Sequence, residues 1–123
     1  MYSQIHTVTV TTDADGDGSG RTPPIRGRIL EIVYAKTDYD NGVEFAITTA
    51  TTSRGVWSEA AVNASTSRQP RAACHGTDGA ALHYNDESDE PVVDAIAGGG
   101  EEVSIVVASG GNAKSGTFYV IEG

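Results

Sequence analysis

Asp13-Ala-Asp-Gly-Asp-Gly18 is the segment of this sequence with the clearest chemical potential. Carboxylates at alternate positions supply hard oxygen ligands at positions 1, 3 and 5 of a calcium loop, and the glycine at position 6 permits its sharp turn. Position 12, where a bidentate Glu belongs, is Pro24, and the flanking residues alternate as strands do. An EF-hand is thereby excluded. Asp13, Asp15 and Asp17 remain candidates for a calcium site in a β loop; the plainer reading is a solvated turn. Asp86-Glu-Ser-Asp-Glu90 would complete such a site if the fold joined the two loops, and otherwise reads as an exposed acidic loop.

Other chemistry is thinner. Cys74-His75, His83 and His6 are the only soft ligands; adjacent Cys and His do not converge easily on one tetrahedral zinc, and no second Cys exists. No Gly-x-Ser-x-Gly elbow is present, and Cys74 has no defined base beyond its neighbour. Gly98-Gly-Gly100 and Ser109-Gly-Gly111 lack the Lys-Ser/Thr ending and the strand-to-helix setting of phosphate loops. Asn63-Ala-Ser65 matches a glycosylation acceptor but reads as a turn. Trp57 with Tyr34 and Tyr39 is either a sugar-stacking platform or, more simply, core. The expectation is a protein without catalysis.

The elements that must position these residues are strands. Period-two alternation of apolar and polar residues recurs, while helical spacing does not. Strands are expected over 4–11, 26–36, 43–51, 55–62 and 92–97, with shorter pieces near 71–75 and 80–84. Asn41-Gly42 is expected to close a hairpin between 26–36 and 43–51, and Ser109 to Gly116 a second hairpin within 103–123. Seven to nine short antiparallel strands in one domain, residues 1–123, predict an all-β sandwich or jelly roll.

Charge narrows the partners. The chain has 8 Lys and Arg against 17 Asp and Glu, a net charge of −9, which disfavours a general nucleic-acid binder. The arginines cluster at Arg21, Arg26 and Arg28 and again at Arg54, Arg68 and Arg71, where a contact with a large partner is expected. A lone Cys suits maturation in a reducing cytosol. No secretory signal pattern and no transmembrane run of apolar residues is present, so no membrane partner is expected.

Several segments together carry a resemblance: Gly27-Arg-Ile-Leu-Glu-Ile-Val-Tyr34, Asp40-Asn-Gly-Val-Glu-Phe-Ala-Ile-Thr48, Trp57-Ser-Glu59, Val62-Asn-Ala-Ser65, Pro70-Arg-Ala-Ala-Cys-His75 and Val106-Val-Ala-Ser-Gly-Gly-Asn-Ala-Lys-Ser-Gly-Thr-Phe118. From about Val8 to Ile121 the chain resembles small virion structural proteins of tailed bacteriophages. The resemblance implies a non-enzymatic capsid decoration or cement protein, a homotrimer gripping the major capsid protein lattice. It would be made in the host bacterial cytoplasm and reside on the phage head. The resemblance implies no cofactor, and the Asp13–Gly18 loop is richer in Asp than the family pattern. Arg21, Arg26, Arg28, Arg68 and Arg71 are the candidate gripping residues, and replacing Arg68 and Arg71 is expected to weaken virion association without unfolding. The alternatives are a jelly-roll carbohydrate-binding module with a calcium-ordered loop, and a tail or connector component.

Overall fold

Alternating burial runs through the strands that alternation predicts. Val8 and Val10 of β1 (Gln4–Thr11) are buried between exposed threonines, and Val43, Phe45 and Ile47 of β4 (Val43–Thr49) between Glu44, Ala46 and Thr48. The computed structural model describes residues 3–84 and 90–123. Its other strands are β2 (Gly18–Arg21), β3 (Arg28–Lys36), β5 (Gly55–Val62), β6 (Thr66–Arg68), β7 (Arg71–Ala73), β8 (Val93–Ala97), β9 (Val103–Ala108) and β10 (Ser115–Glu122). None of the described residues forms a helix long and apolar enough to cross a membrane.

The ten strands make two antiparallel sheets. One runs β1-β10-β3-β8-β7, with β6 also on β3; the other runs β2-β9-β4-β5. Apart from β4–β5 and the run β6 to β8, strands consecutive in sequence alternate between sheets: β1 to β2, β3 to β4, and β9 to β10 all cross over. Each sheet instead pairs strands far apart in the chain, which is the wrapping of a jelly roll. Both hairpins expected from turn residues are therefore corrected. β3 pairs with β10, β6 and β8 but not β4, and β9 pairs with β2 and β4 but not β10. The turn signals are real, since Gly42, Ser109, Gly111 and Ala113 all have positive φ. They turn corners between sheets, because a six-residue connector is long enough to bridge the roughly 10 Å between packed sheets.

Two strands escape the alternation rule. β6 is only three residues long, and β2 is Gly-Ser-Gly-Arg, with little β propensity. Its glycines answer to packing. A Cβ on Gly18 would sit 2.7 Å from the Thr11 carbonyl oxygen, and one on Gly20 would sit 2.7 Å from Val8 Cγ1. Only glycine lets β2 pass so close under β1. The segment 80–84, expected as a strand, holds only isolated bridges, Ala81 to His75 and His83 to Pro91.

Aromatic rings from both sheets lock the layers together. Tyr34 of β3, Phe118 of β10 and Phe45 of β4 sit with centroids 5.2–5.3 Å apart, and Trp57 of β5 meets Phe45 edge-on at 4.8 Å. Tyr39, from the β3–β4 corner, is buried against Tyr34 and donates its hydroxyl to the Val10 carbonyl. Burial pushes its pKa up to about 12.

The strand directions give the sandwich two chemically different ends. At one, the corners 12–17, 37–42 and 109–114 meet through Gly110 N–H to Gly16 O (3.0 Å) and Asp40 N–H to Gly110 O (3.0 Å). At the other, the segments 22–27, 50–54 and 98–102 meet through Ile25 N–H to Glu101 O (2.8 Å), Ala50 N–H to Glu102 O (2.8 Å) and Gly98 N–H to Gly27 O (2.8 Å).

Candidate interaction surfaces

The second end gathers arginines. Arg21 finishes β2, Arg26 stands in the approach to β3, and Arg28 opens β3. Arg21 reaches Glu102 at 3.4 Å and Arg28 reaches Asp94 at 3.7 Å, both across open water, where such pairs hold weakly. The Arg26 side chain is exposed, and its guanidinium has no hydrogen bond or ion pair among the described residues. Arg71 lies nearby on the same sheet. Arg28 stands opposite Ala97 and Arg71 opposite Ala95 along β8, so these side chains leave one face of the sheet. That face also carries Val93, which is 43 % exposed. Arg71 is steadied by its donation to the Pro70 carbonyl at 2.9 Å.

Arg68 differs from the other four. Its guanidinium lies 5.6 Å from the Trp57 ring centroid and 2.9 Å from Glu59, whose carboxylate also takes the indole N–H of Trp57 at 3.0 Å. It laces the six-stranded sheet to β5 across an open side of the sandwich. Its removal would therefore be felt by the fold as well as by any partner. The structure thus brings Arg21, Arg26 and Arg28 to one end, sets Arg71 beside them, and holds Arg68 apart.

Sequence spacing gave no hint of two carboxylates at this arginine end. Glu101 takes the N–H groups of Thr51 and Thr52 (both 2.8 Å), the Thr52 hydroxyl (2.7 Å) and the Arg54 guanidinium (3.1 Å). Those donors, led by the Thr52 hydroxyl, pull its pKa down to about 2. Glu122 takes the N–H groups of Gly27 (2.8 Å) and Arg26 (3.0 Å) on one oxygen and His6 Nε2 (2.6 Å) on the other. The Gly27 N–H and then the His6 contact hold its carboxyl below the ordinary range. Both groups brace loops. A signal for them would have had to come from segments far apart in sequence that meet only in the fold.

The opposite end is rich in aspartate. Asp13, Asp15 and Asp17 are exposed there, and Asp38 and Asp40 share the neighbouring corner. Asp13 folds its own loop: one carboxylate oxygen accepts the N–H groups of Asp15 (2.9 Å) and Asp17 (3.1 Å). This is the geometry of an Asx turn. Asp38 accepts the Ser115 N–H at 2.6 Å. Among the described residues no three His, Cys, Asp or Glu side chains gather into a group able to hold a metal. The acidic segment 86–90 lies outside the described residues except for Glu90.

The remaining sequence candidates have structural places. Trp57, Tyr34 and Tyr39 are buried in the core, so they form no open sugar platform. Asn63 accepts the Gly42 N–H at 2.7 Å and closes a corner. Cys74 is half-buried. One surface was not foreseen: a shallow groove of about 410 Å³ on the outer face of the four-stranded sheet. It is floored by small side chains, Ala46, Ser58, Ala60 and Ala108, with Val106 beside them. Compared with known proteins, the chain matches no family model and no curated protein.

Proposed function

We propose that this chain is a non-enzymatic structural protein of a tailed-phage virion, decorating the capsid and gripping its lattice through the arginine end. The observation that carries the reading is the segregation of charge. Arg21, Arg26, Arg28 and Arg71 gather at and beside one end, and the exposed Asp13, Asp15 and Asp17 occupy the other. On an acidic chain, such polarity orients a molecule on a surface that offers carboxylates and carbonyls, and keeps its far end solvated. Arginine beside exposed Val93 and alanines is the mixed composition of an interface core. A cement binds the assembled lattice and not its free subunits, so it stabilises the shell by mass action.

Purified particles test the proposal. Hundreds of copies per particle are expected, and the Arg26→Ala, Arg28→Ala, Arg71→Ala triple variant should lose occupancy while melting like the wild type. A handful of copies would move the protein to a tail or connector, and none would refute the virion reading. Undiminished occupancy of a folded triple variant would remove the arginine end from the contact.

A further inference from the structure

The free strand edges of the sandwich are not equally protected. β5 breaks its pairing with β4 between Glu59 and Val62, which leaves Ala60 and Ala61 bulged and Ala61 at φ 56°. β2 is four residues long and ends in Arg21; β6 and β7 have three residues each and carry Arg68 and Arg71. Shortness, charge and bulges are the usual defences of an edge. β1 has none of them. It runs eight residues in unbroken register with β10, without Asp, Glu, Lys, Arg or Pro.

The hydrogen-bond parity of β1 follows from one contact. Thr12 N–H donates to the Lys114 carbonyl, so Val10, Val8, His6 and Gln4 turn their backbone groups toward β10. Ile5, Thr7 and Thr9 turn theirs away from the sheet. Their side chains are exposed, Ile5 by 60 %. Toward Thr11 the edge is shielded by Gly18, so the open stretch is Ile5 to Thr9.

We propose that this stretch pairs with the same stretch of a second copy, antiparallel about a two-fold axis through Thr7. That register sets Thr7 against Thr7 and Ile5 against Thr9 twice, each hydrogen-bonded pair exchanging two N–H···O=C bonds. A second copy fits because the pairing is self-complementary: β-branched residues oppose β-branched residues. It also fits because, among the described residues, β1 is an edge strand without Asp, Glu, Lys or Arg, so two chains of net charge −9 meet there without opposed charges. Below it, β2 sets Gly18 against Thr11 and Gly20 against Val8, and the Arg21 that follows is drawn aside to Glu102 at 3.4 Å. The contact does not rest on the virion reading, since it concerns the free protein.

Sedimentation of the whole chain across a concentration series tests it. The wild type should approach twice its 12.8 kDa mass. Thr7→Pro, which removes an outward donor at an edge position that tolerates proline, should halve that mass. Thr7→Lys, which opposes like charges, should do the same with unchanged circular dichroism. Hydrogen exchange should find the Ile5, Thr7 and Thr9 amides protected at high wild-type concentration and released in the Thr7→Lys variant. A wild type of 12.8 kDa at every concentration overturns the proposal, as does an oligomer that survives both variants. A mass three times that of the chain would replace the two-fold join by a different contact. None of these results bears on particle occupancy, which the arginine variants report separately.

Discussion

The arginine end and the aspartate end of the sandwich are both crowded with charge, yet they use it in opposite ways. At the arginine end the carboxylates Glu101 and Glu122 are 11 % and 13 % exposed and tied to backbone N–H groups, while the exposed Arg26 guanidinium meets no partner among the described residues. At the aspartate end Asp15 and Asp17 face water, and Lys36 lies along the surface, donating to Asn41 Oδ1 and the Asn63 carbonyl. Glu101 and Glu122 therefore build one end, whereas Asp15 and Asp17 decorate the other. A charge count alone does not distinguish the two uses; the hydrogen-bond partners do.

Mutations that remove a bracing carboxylate should break this contrast most visibly. Glu122→Ala strips the acceptor from Gly27, Arg26 and His6 together. It should cost on the order of 2 kcal/mol in urea unfolding, because charged hydrogen bonds are lost and the part-buried Gly27 and His6 donors are left unpaired. Acid should act on the same end. Both glutamates have folded pKa values below their unfolded ones, so their stabilisation is complete above the ordinary carboxylate pKa and fades as pH falls through the folded values, reaching about 2 for Glu101. The wild type should lose urea resistance between pH 5 and about pH 2, and a Glu101→Gln, Glu122→Gln variant should lose much less over that range. An equal loss in both would assign the acid sensitivity elsewhere.

Glu101→Gln alone should give a smaller drop in melting temperature than Glu122→Ala, since its donors belong to one surface turn. Arg68→Ala should cost about 1 kcal/mol through loss of its stacking on Trp57 and its pairing with Glu59. The smallest effect is expected at the other end. Asp15→Asn with Asp17→Asn should leave the urea midpoint within about 0.5 kcal/mol, because these side chains face solvent. A clear destabilisation there would mean that the aspartate end is also built on its exposed acids.

How far the sequence spoke depends on the length scale of each feature. β1 and β5 are found where alternation predicts them, and Trp57 is in the core as the plainer reading had it. Alternation reports which face of a strand is buried, but both sheets of a sandwich bury one face. It therefore carries no information on whether β3 pairs with β4 or crosses to the other sheet. The arginines were visible as short runs, yet Arg26 and Arg68 look alike in sequence and differ in the fold because Trp57 and Glu59 arrive beside Arg68 from another sheet. Glu101 and Glu122 were invisible for the same reason. Their partners lie 49 and 95 residues away along the chain.

The wrapped topology has a further consequence for how the molecule comes into being. β1 has one neighbour in its sheet, β10, and its register joins Gln4 to Glu122. On the ribosome, then, the strand made early has no place to bind until the strand made late has emerged. Val8 and Val10 must wait in water until β10 is available. Closing so large a loop is slow and is rewarded only once β10 arrives, so the sandwich should assemble only after β10 has emerged, in the millisecond-to-second range typical of non-local β topologies. During that interval the unbulged, uncharged β1 is the segment most exposed to a wrong partner.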